Sequence, residues 1–179
     1  MVLTSQTLAQ LAACPLPRAA AWVTPINAAL TQFHINTPER VRAFIAQVSH
    51  ESGRFIYTRE LWNPVQAPWQ ARYEGRKDLG NVNPGDGSRF RGRGLIQITG
   101  RANYRACGLA LGFDFEENPG ALERKEFAAL SAGWFWESHG CNELADAGDF
   151  RRITKRINGG YNGLKDRLVI WEASKGVLV

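Results

Sequence analysis

The stretch Thr37–Gly53, TPERVRAFIAQVSHESG, reads as one helix with both ends marked. Thr37 is a good N-cap, Pro38 suits the first helical position, and Glu39 complements the positive end of the helix dipole. Val41, Phe44, Ile45 and Val48 follow at i, i+3, i+4 and i+7, the spacing of one apolar face. Gly53 supplies a stop. Glu51 stands three residues after Val48 and seven after Phe44, so it lies on the apolar stripe and not on the solvated face. A carboxyl placed there loses hydration, which favours its protonated form. That is how a general acid is kept available near neutral pH. A structural Glu buried against an arginine has the same signature, and this helix alone does not separate the two.

Other helices extend outward from this one. Upstream, Trp22, Ile26, Leu30 and Phe33 share a face, with Thr24-Pro25 expected to restart the helix. Downstream, the pattern predicts helices over 101–111, 122–138, 149–157 and 163–174. Phe127, Leu130 and Trp134 stripe the second of these, Phe150, Ile153 and Ile157 the third, and Leu164, Leu168 and Trp171 the last. The middle of the chain differs. Gly80, Pro84, Gly85, Gly87, Gly92 and Gly94 crowd residues 79–94, which is loop chemistry. The loop leads into GLIQIT, Gly94–Thr99, a short β-like run. In such a run Gln97 and Thr99 point one way, toward a cleft, and Ile96 and Ile98 point the other way, into a core. Solvent-facing polar residues on a half-buried strand would look the same. The reading is one mainly α domain with a small β element and long loops between helical lobes.

Glu60 lies nine residues after Glu51. On an unbroken helix the two would sit on opposite faces, about 13.5 Å apart along the axis. They face one another only if the helix ends near Gly53 and the chain folds back, with Asn63-Pro64 ending the return. Two carboxyls across a cleft are the apparatus of glycoside hydrolysis, one protonating the leaving oxygen and the other activating water or attacking carbon. A solvated loop acid is the plain alternative for Glu60. Arg167 sits on a core-facing stripe and needs a buried anion; a catalytic carboxylate, Asp149 or Asp166 would serve. Asn158-Gly159-Gly160 reads as a helix-ending turn. Trp62 and Trp69 fall in the loop region by Glu60, where their rings could stack on pyranose faces; core filling accounts for Trp22, Trp134 and Trp171.

The chain has 179 residues, with 44% hydrophobic and 22% charged, a globular composition that argues against disorder. Its net charge of +5 is concentrated. Arg72, Arg76, Lys77, Arg89, Arg91, Arg93, Arg101 and Arg105 stand against only Glu74, Asp78 and Asp86, so 72–105 carries the whole excess. A basic face implies an anionic partner, or acids inside the protein itself. No apolar run is long enough for a membrane span, so stable membrane insertion is not expected. No secretory signal is visible. Cys14, Cys107 and Cys141 are odd in number and widely spaced, which fits reduced thiols. His34, His50 and His139 have no metal-ligand spacing, and neither a metal nor another cofactor is expected.

Taken together and in order, four runs resemble glycoside hydrolase family 19, the chitinase-like family, in its compact bacterial and phage endolysin form. They are FIAQVSHESG at 44–53, YEGR at 73–76 with DLGN at 78–81, FRGRGLIQITGRANY at 90–104 and INGGYNGLKDR at 157–167. Pro38-Glu39-Arg40 ahead of the first also fits. The resemblance covers nearly the whole chain. It implies a lysozyme-like, two-lobed α fold with a small β-hairpin element and long loops lining a cleft. Residues 1–179 are then a single catalytic domain, with no separate wall-binding module. It also implies roles: Glu51 as general acid, Glu60 as general base of an inverting hydrolase, and Gln97 and Thr99 as substrate- and water-positioning residues. Asn158 resembles the cleft asparagine, Arg167 the arginine that organises the carboxylates, and Tyr104 and Asn103 are further carry-overs. The plant-type enzymes have a longer insertion between the acids and several disulfides, which this chain lacks. Val65 stands where related endolysins often have a threonine, leaving Gln66 or Thr99 to hold the nucleophilic water.

The expected activity is β-1,4-glycosidic hydrolysis of peptidoglycan by a monomer made in the cytoplasm without a signal peptide. It would act on the wall after release, through a holin pore if phage-encoded. Chitin oligomers are the alternative substrate. A lytic transglycosylase and a non-catalytic glycan binder are further alternatives. A nucleic-acid partner would explain Arg91-Gly92-Arg93-Gly94 as a phosphate clamp. The run continues directly into apolar residues, so no nucleic acid is expected.

Overall fold

The computed structural model describes residues 1–178. Its helices are α1 (Ser5–Ala12), α2 (Leu16–Gln32), α3 (Pro38–Glu51), α4 (Asp86–Arg89), α5 (Arg101–Leu111), α6 (Lys125–Ser138), α7 (Cys141–Asp146), α8 (Phe150–Asn158) and α9 (Leu164–Ala173). Short 3-10 turns cover Pro68–Tyr73, Lys77–Leu79 and Pro119–Glu123. The mainly α reading therefore holds, and the predicted helix ends fall within a few residues of the observed ones.

α3 begins as its sequence dictates. The Thr37 hydroxyl accepts a hydrogen bond from the Arg40 N–H at 3.2 Å, and Pro38 opens the first turn. The helix is buried well beyond one stripe: Ala43, Ala46, Gln47 and Ser49 join the apolar four inside. α1, α7 and α9 pack around it, so it runs through the centre and not along a surface. Phe44 meets Trp136 edge-on at 5.4 Å.

Two helix expectations need correcting. α2 does not restart at Pro25 but runs through it. Proline costs one backbone hydrogen bond there, while Ala19, Trp22, Ile26, Ala29 and Leu30 stay buried on both sides of it, and that packing outweighs the loss. In α6 the large stripe Phe127, Leu130 and Trp134 is only half-buried. The buried face is Ala128, Ala129, Ser131, Ala132, Gly133 and Trp136. Small residues let α2 and α6 approach closely, and a Cβ on Gly133 would lie 2.3 Å from the Phe33 ring.

The β element shrinks to two isolated antiparallel bridges, Arg59 with Arg93 and Arg93 with Ile98. Residues 94–97 form a turn, because Gln97 has φ of 58°, in the left-handed region that no extended strand occupies. The preceding loop folds on its own polar groups. Buried Asn81 donates to the Tyr73 carbonyl and accepts from the Arg101 N–H, both at 2.9 Å. Buried Asp86 accepts from the Val82 and Asn83 N–H groups and pairs with Arg101. Backbone polar groups that helices leave unpaired are satisfied this way. Cys107 and Cys141 are free buried thiols, pushed up to about 12 by desolvation. Among the described residues no helix is long and apolar enough to cross a membrane, and no cluster of three or more His, Cys, Asp or Glu could hold a metal ion.

Gly133→Ala should force the α2–α6 seam apart and cost about 1–3 kcal/mol in urea unfolding. An unchanged midpoint would show that Phe33 can step aside. The Arg101 hydrogen bonds hold the Asp86 carboxyl below its ordinary value of 3.8. A lowered folded value means the contribution to stability is whole above the ordinary value and is lost as pH falls through the folded one. Asp86→Asn should therefore lower stability at neutral pH and flatten its decline in acid, read from unfolding midpoints across that range.

Candidate active site

α3 brings Glu51 to the end of the central helix, with its side chain 17% exposed. Opposite it stands Arg167, fully buried in the first turn of α9, and one guanidinium nitrogen pairs with the Glu51 carboxylate. Another donates to Gln47 Oε1 at 2.6 Å. Gln47 precedes Glu51 by one helical turn and is itself buried; its amide donates to the Thr154 hydroxyl of α8 at 2.8 Å. The neighbouring residues repeat the cross-link. His50 Nδ1 lies 2.7 Å from Asp166, which also accepts from Arg54 at 2.9 Å. Burial opposes the Asp166 charge, but the His50 and Arg54 hydrogen bonds outweigh it and hold the carboxyl below the usual range. Of the three anions weighed for Arg167, Glu51 is thus the one it meets. Asp149 instead caps α8 through the Arg152 N–H.

After Glu51 the chain turns sharply. Gly53, Arg54 and Phe55 all have positive φ. Phe55 is nevertheless buried, stacked on Trp22 at 5.5 Å. This turn delivers Glu60 to a second cluster. The Glu60 N–H donates to the Gly92 carbonyl at 2.8 Å, and Glu60 Oε2 accepts from the Gly92 N–H at 3.3 Å. Glu60 Oε1 accepts from Gln70 Nε2 at 3.0 Å. Gly92 is the hub: a Cβ there would lie 2.7 Å from Gln97 Oε1 and 3.3 Å from Thr99 Oγ1. Glu60, Gln97 and Thr99 therefore meet around a residue that must lack a side chain. Gln97 and Thr99 do not part from Ile96 and Ile98 as a strand pleat requires: all four line one cavity, in a segment that turns at Gln97. The cavity has a volume of about 230 Å³, and Asn103, Trp134, Phe135, His139 and Ile157 line it too. Asn158, next to Ile157 at the end of α8, is exposed.

Tyr104 does not belong to this group. Its ring is fully buried, its hydroxyl donates to the Arg91 carbonyl at 2.6 Å and accepts from Arg93 at 2.8 Å, and desolvation pushes it up to about 12. A helical face turned inward puts it in the core, where no substrate reaches. Val65 is 87% exposed. Gln66 is tied to Asn63, whereas Thr99 stands at the Glu60 hub. Trp62 lies 6.1 Å from Tyr73, and Trp69 is exposed next to Gln70. Sequence reasoning missed Gln70, which also accepts from the Asn63 N–H and donates to the Leu61 carbonyl. It sits in the 3-10 turn Pro68–Tyr73, too short to leave a periodic signal. Gln47 did carry one: a polar residue four before Glu51 on the same helix.

The basic segment is largely spent internally. Arg76 pairs with Asp78, Arg93 with Glu123, Arg101 with Asp86 and Glu116, and Arg105 with Glu116. Arg89 is held by the Glu116 and Glu117 carbonyls. Arg91 meets no carboxylate among the described residues; burial, then the Arg93 and Arg59 charges, pull its guanidinium down.

The model of glycoside hydrolase family 19, described as chitinase class I, matches residues 20–145. The chain belongs to glycoside hydrolase family 19. A family 19 domain-containing protein of Haemophilus influenzae is 36% identical over 155 residues, covering 73% of this chain and 76% of that protein. An endochitinase of Arabidopsis thaliana is 36% identical over 121 residues, 67% of this chain but 39% of its own length. The chain thus spans about two fifths of that plant relative. In fold it is similar to a bacterial family 19 chitinase, with a TM-score of 0.77 and 22% identity over 99% of this chain and 95% of that one. Chitinase C from Streptomyces griseus gives 0.74 and 22% over 97% and 75%. Family membership makes the chain a glycosidase with a lysozyme-like helical fold.

If Tyr104 is core and not cleft, Tyr104→Phe should leave KM unchanged. It should lower stability by about 1–3 kcal/mol, because Arg93 loses a buried acceptor. A raised KM at unchanged stability would return Tyr104 to the cleft.

Proposed function

We propose that this family 19 glycosidase cleaves β-1,4 bonds of peptidoglycan by single displacement with inversion. The observation that carries the reading is the buried arginine behind Glu51, placed to meet the charge that Glu51 acquires when it gives up a proton. Glu51 faces a fully buried arginine, while Glu60 is held only by the neutral groups of Gln70 and Gly92. Glu51 gives its proton to the bridging oxygen as the bond from the anomeric carbon breaks. The negative charge Glu51 then acquires is met by Arg167. Glu60 takes a proton from a water attacking the opposite face of the sugar. Thr99 and Gln97, at the Glu60 hub, are placed to hold that water and the sugar beside it. Residues 1–179 act as one catalytic domain in this reading.

Peptidoglycan is preferred because the exposed Arg72 and Lys77 form no ion pair among the described residues, and acidic peptide stems would meet their charge. The second reading, chitin hydrolysis, is favoured by the endochitinase names of several relatives.

Glu51→Gln should stay folded and lose activity by about 10²–10⁴-fold or more. Substantial residual activity would remove Glu51 from the reaction. Proton NMR of fresh digests should show the α-anomer first; the β-anomer would mean retention, and 1,6-anhydro ends a transglycosylase. Reducing-end release from purified sacculi but not from N-acetylglucosamine hexamer would support the peptidoglycan choice, and the reverse pattern would move the enzyme to chitin.

A further inference from the structure

A buried polar chain runs behind the proton donor and ties three helices together. Its first contact is the pair of Glu51 with Arg167. Arg167 donates in turn to Gln47 Oε1, and Gln47 Nε2 donates to Thr154 Oγ1. Thr154 closes the chain on the Phe150 carbonyl of its own helix at 3.1 Å. Gln47, Thr154 and Arg167 are each without exposure to solvent. Such a chain is costly unless satisfied, so its geometry is specified and not incidental.

Three details make Gln47 the pivot. Arg167 Nε has no hydrogen-bond partner among the described residues, so the guanidinium is aimed by Glu51 and Gln47 alone. Gln47 is the only one of those two that takes no part in proton transfer, which leaves it as the fixed reference. The amide is also directional, with its oxygen on Arg167 and its nitrogen on Thr154, so it acts as a spacer of set polarity. On α8, Thr154 and Asn158 are four residues apart and share a face. The hydrogen bond that seats Thr154 therefore fixes α8 against α3 one turn before Asn158, while Gly159 in the left-handed region ends the helix.

We propose that Gln47, working through Thr154, is a positioning residue for the reaction: it aims Arg167 at the Glu51 carboxylate and sets α8, with Asn158, relative to that carboxylate. This rests on Glu51 being the proton donor. Neither Gln47 nor Thr154 touches the glycan. Their effect is on the step in which Glu51 gives up its proton, and it should appear in kcat and not in KM.

The test is steady-state kinetics on purified peptidoglycan or N-acetylglucosamine hexamer, whichever the wild-type chain turns over, at a temperature well below every variant's melting point. Gln47→Leu should lower kcat by about tenfold to a hundredfold with KM within about twofold. Thr154→Val, nearly isosteric, should lower kcat by about tenfold, and Thr154→Ser, which keeps the hydroxyl, should restore it. A purely structural role would lower the melting temperature of Thr154→Val and leave kcat alone; that result overturns the proposal, as does a change confined to KM. If Gln47→Leu fails to fold, the Thr154 pair decides. If Glu51→Gln keeps its activity, the underlying reading fails. If Glu51→Gln is inactive while the Gln47 and Thr154 variants turn over like wild type, only the present inference fails.

Discussion

Arg167 carries a full charge where no water reaches it. A guanidinium in that position is tolerable only if an anion and several acceptors come to it. It finds one carboxyl, Glu51, and one amide oxygen, Gln47, both on α3. Much of the architecture follows from meeting this demand. α9 must lie against α3, and α3 must be central enough to keep solvent out. Asp166 and His50, one residue away on each helix, repeat the cross-link at the edge, where burial is partial. Arg167 Nε is left without a hydrogen-bond partner among the described residues.

Strain gathers at the same place. Arg54, Phe55 and Gln97 are three of five non-glycine residues with positive φ, and they flank the two carboxylates. Each adopts a conformation that costs free energy unless its surroundings insist on it. Phe55 is insisted on by Trp22, and Gln97 by the turn that brings it to Gly92. The helices supply a rigid frame, and the irregular segments between them carry the exact placement that catalysis needs.

Helices were legible in the sequence because their apolar period is a direct record of burial. The Thr37 cap was readable for the same local reason, whereas Asp149, weighed only as a partner for Arg167, turned out to cap α8. Glu51 and Arg167 announced themselves as charges on apolar stripes, a conflict that only pairing resolves. What failed to show was anything set by tertiary approach. The inner face of α6 was misjudged because close packing against α2 rewards small side chains over large ones. The run 94–99 alternates like a strand, yet residues 94–97 fold as a turn, with Gly94 close against Ser131 and Ala128 of α6. Tyr104 matched a family motif, but its burial depended on where α5 faced. Gln70 left no trace, since one short 3-10 turn has no period to read and its partners are fixed by tertiary approach.

Glu51 and Arg167 lie 116 residues apart in the chain. Closing so long a loop is slow and entropically costly compared with forming either helix. The pairing of Glu51 with Arg167 therefore waits until α9 has docked on α3. Until α9 docks, Glu51 is an ordinary carboxylate at the end of a helix. On the proposed mechanism, a chain whose α9 has not yet docked has no arginine to meet the charge on its acid, so its topology alone keeps it idle.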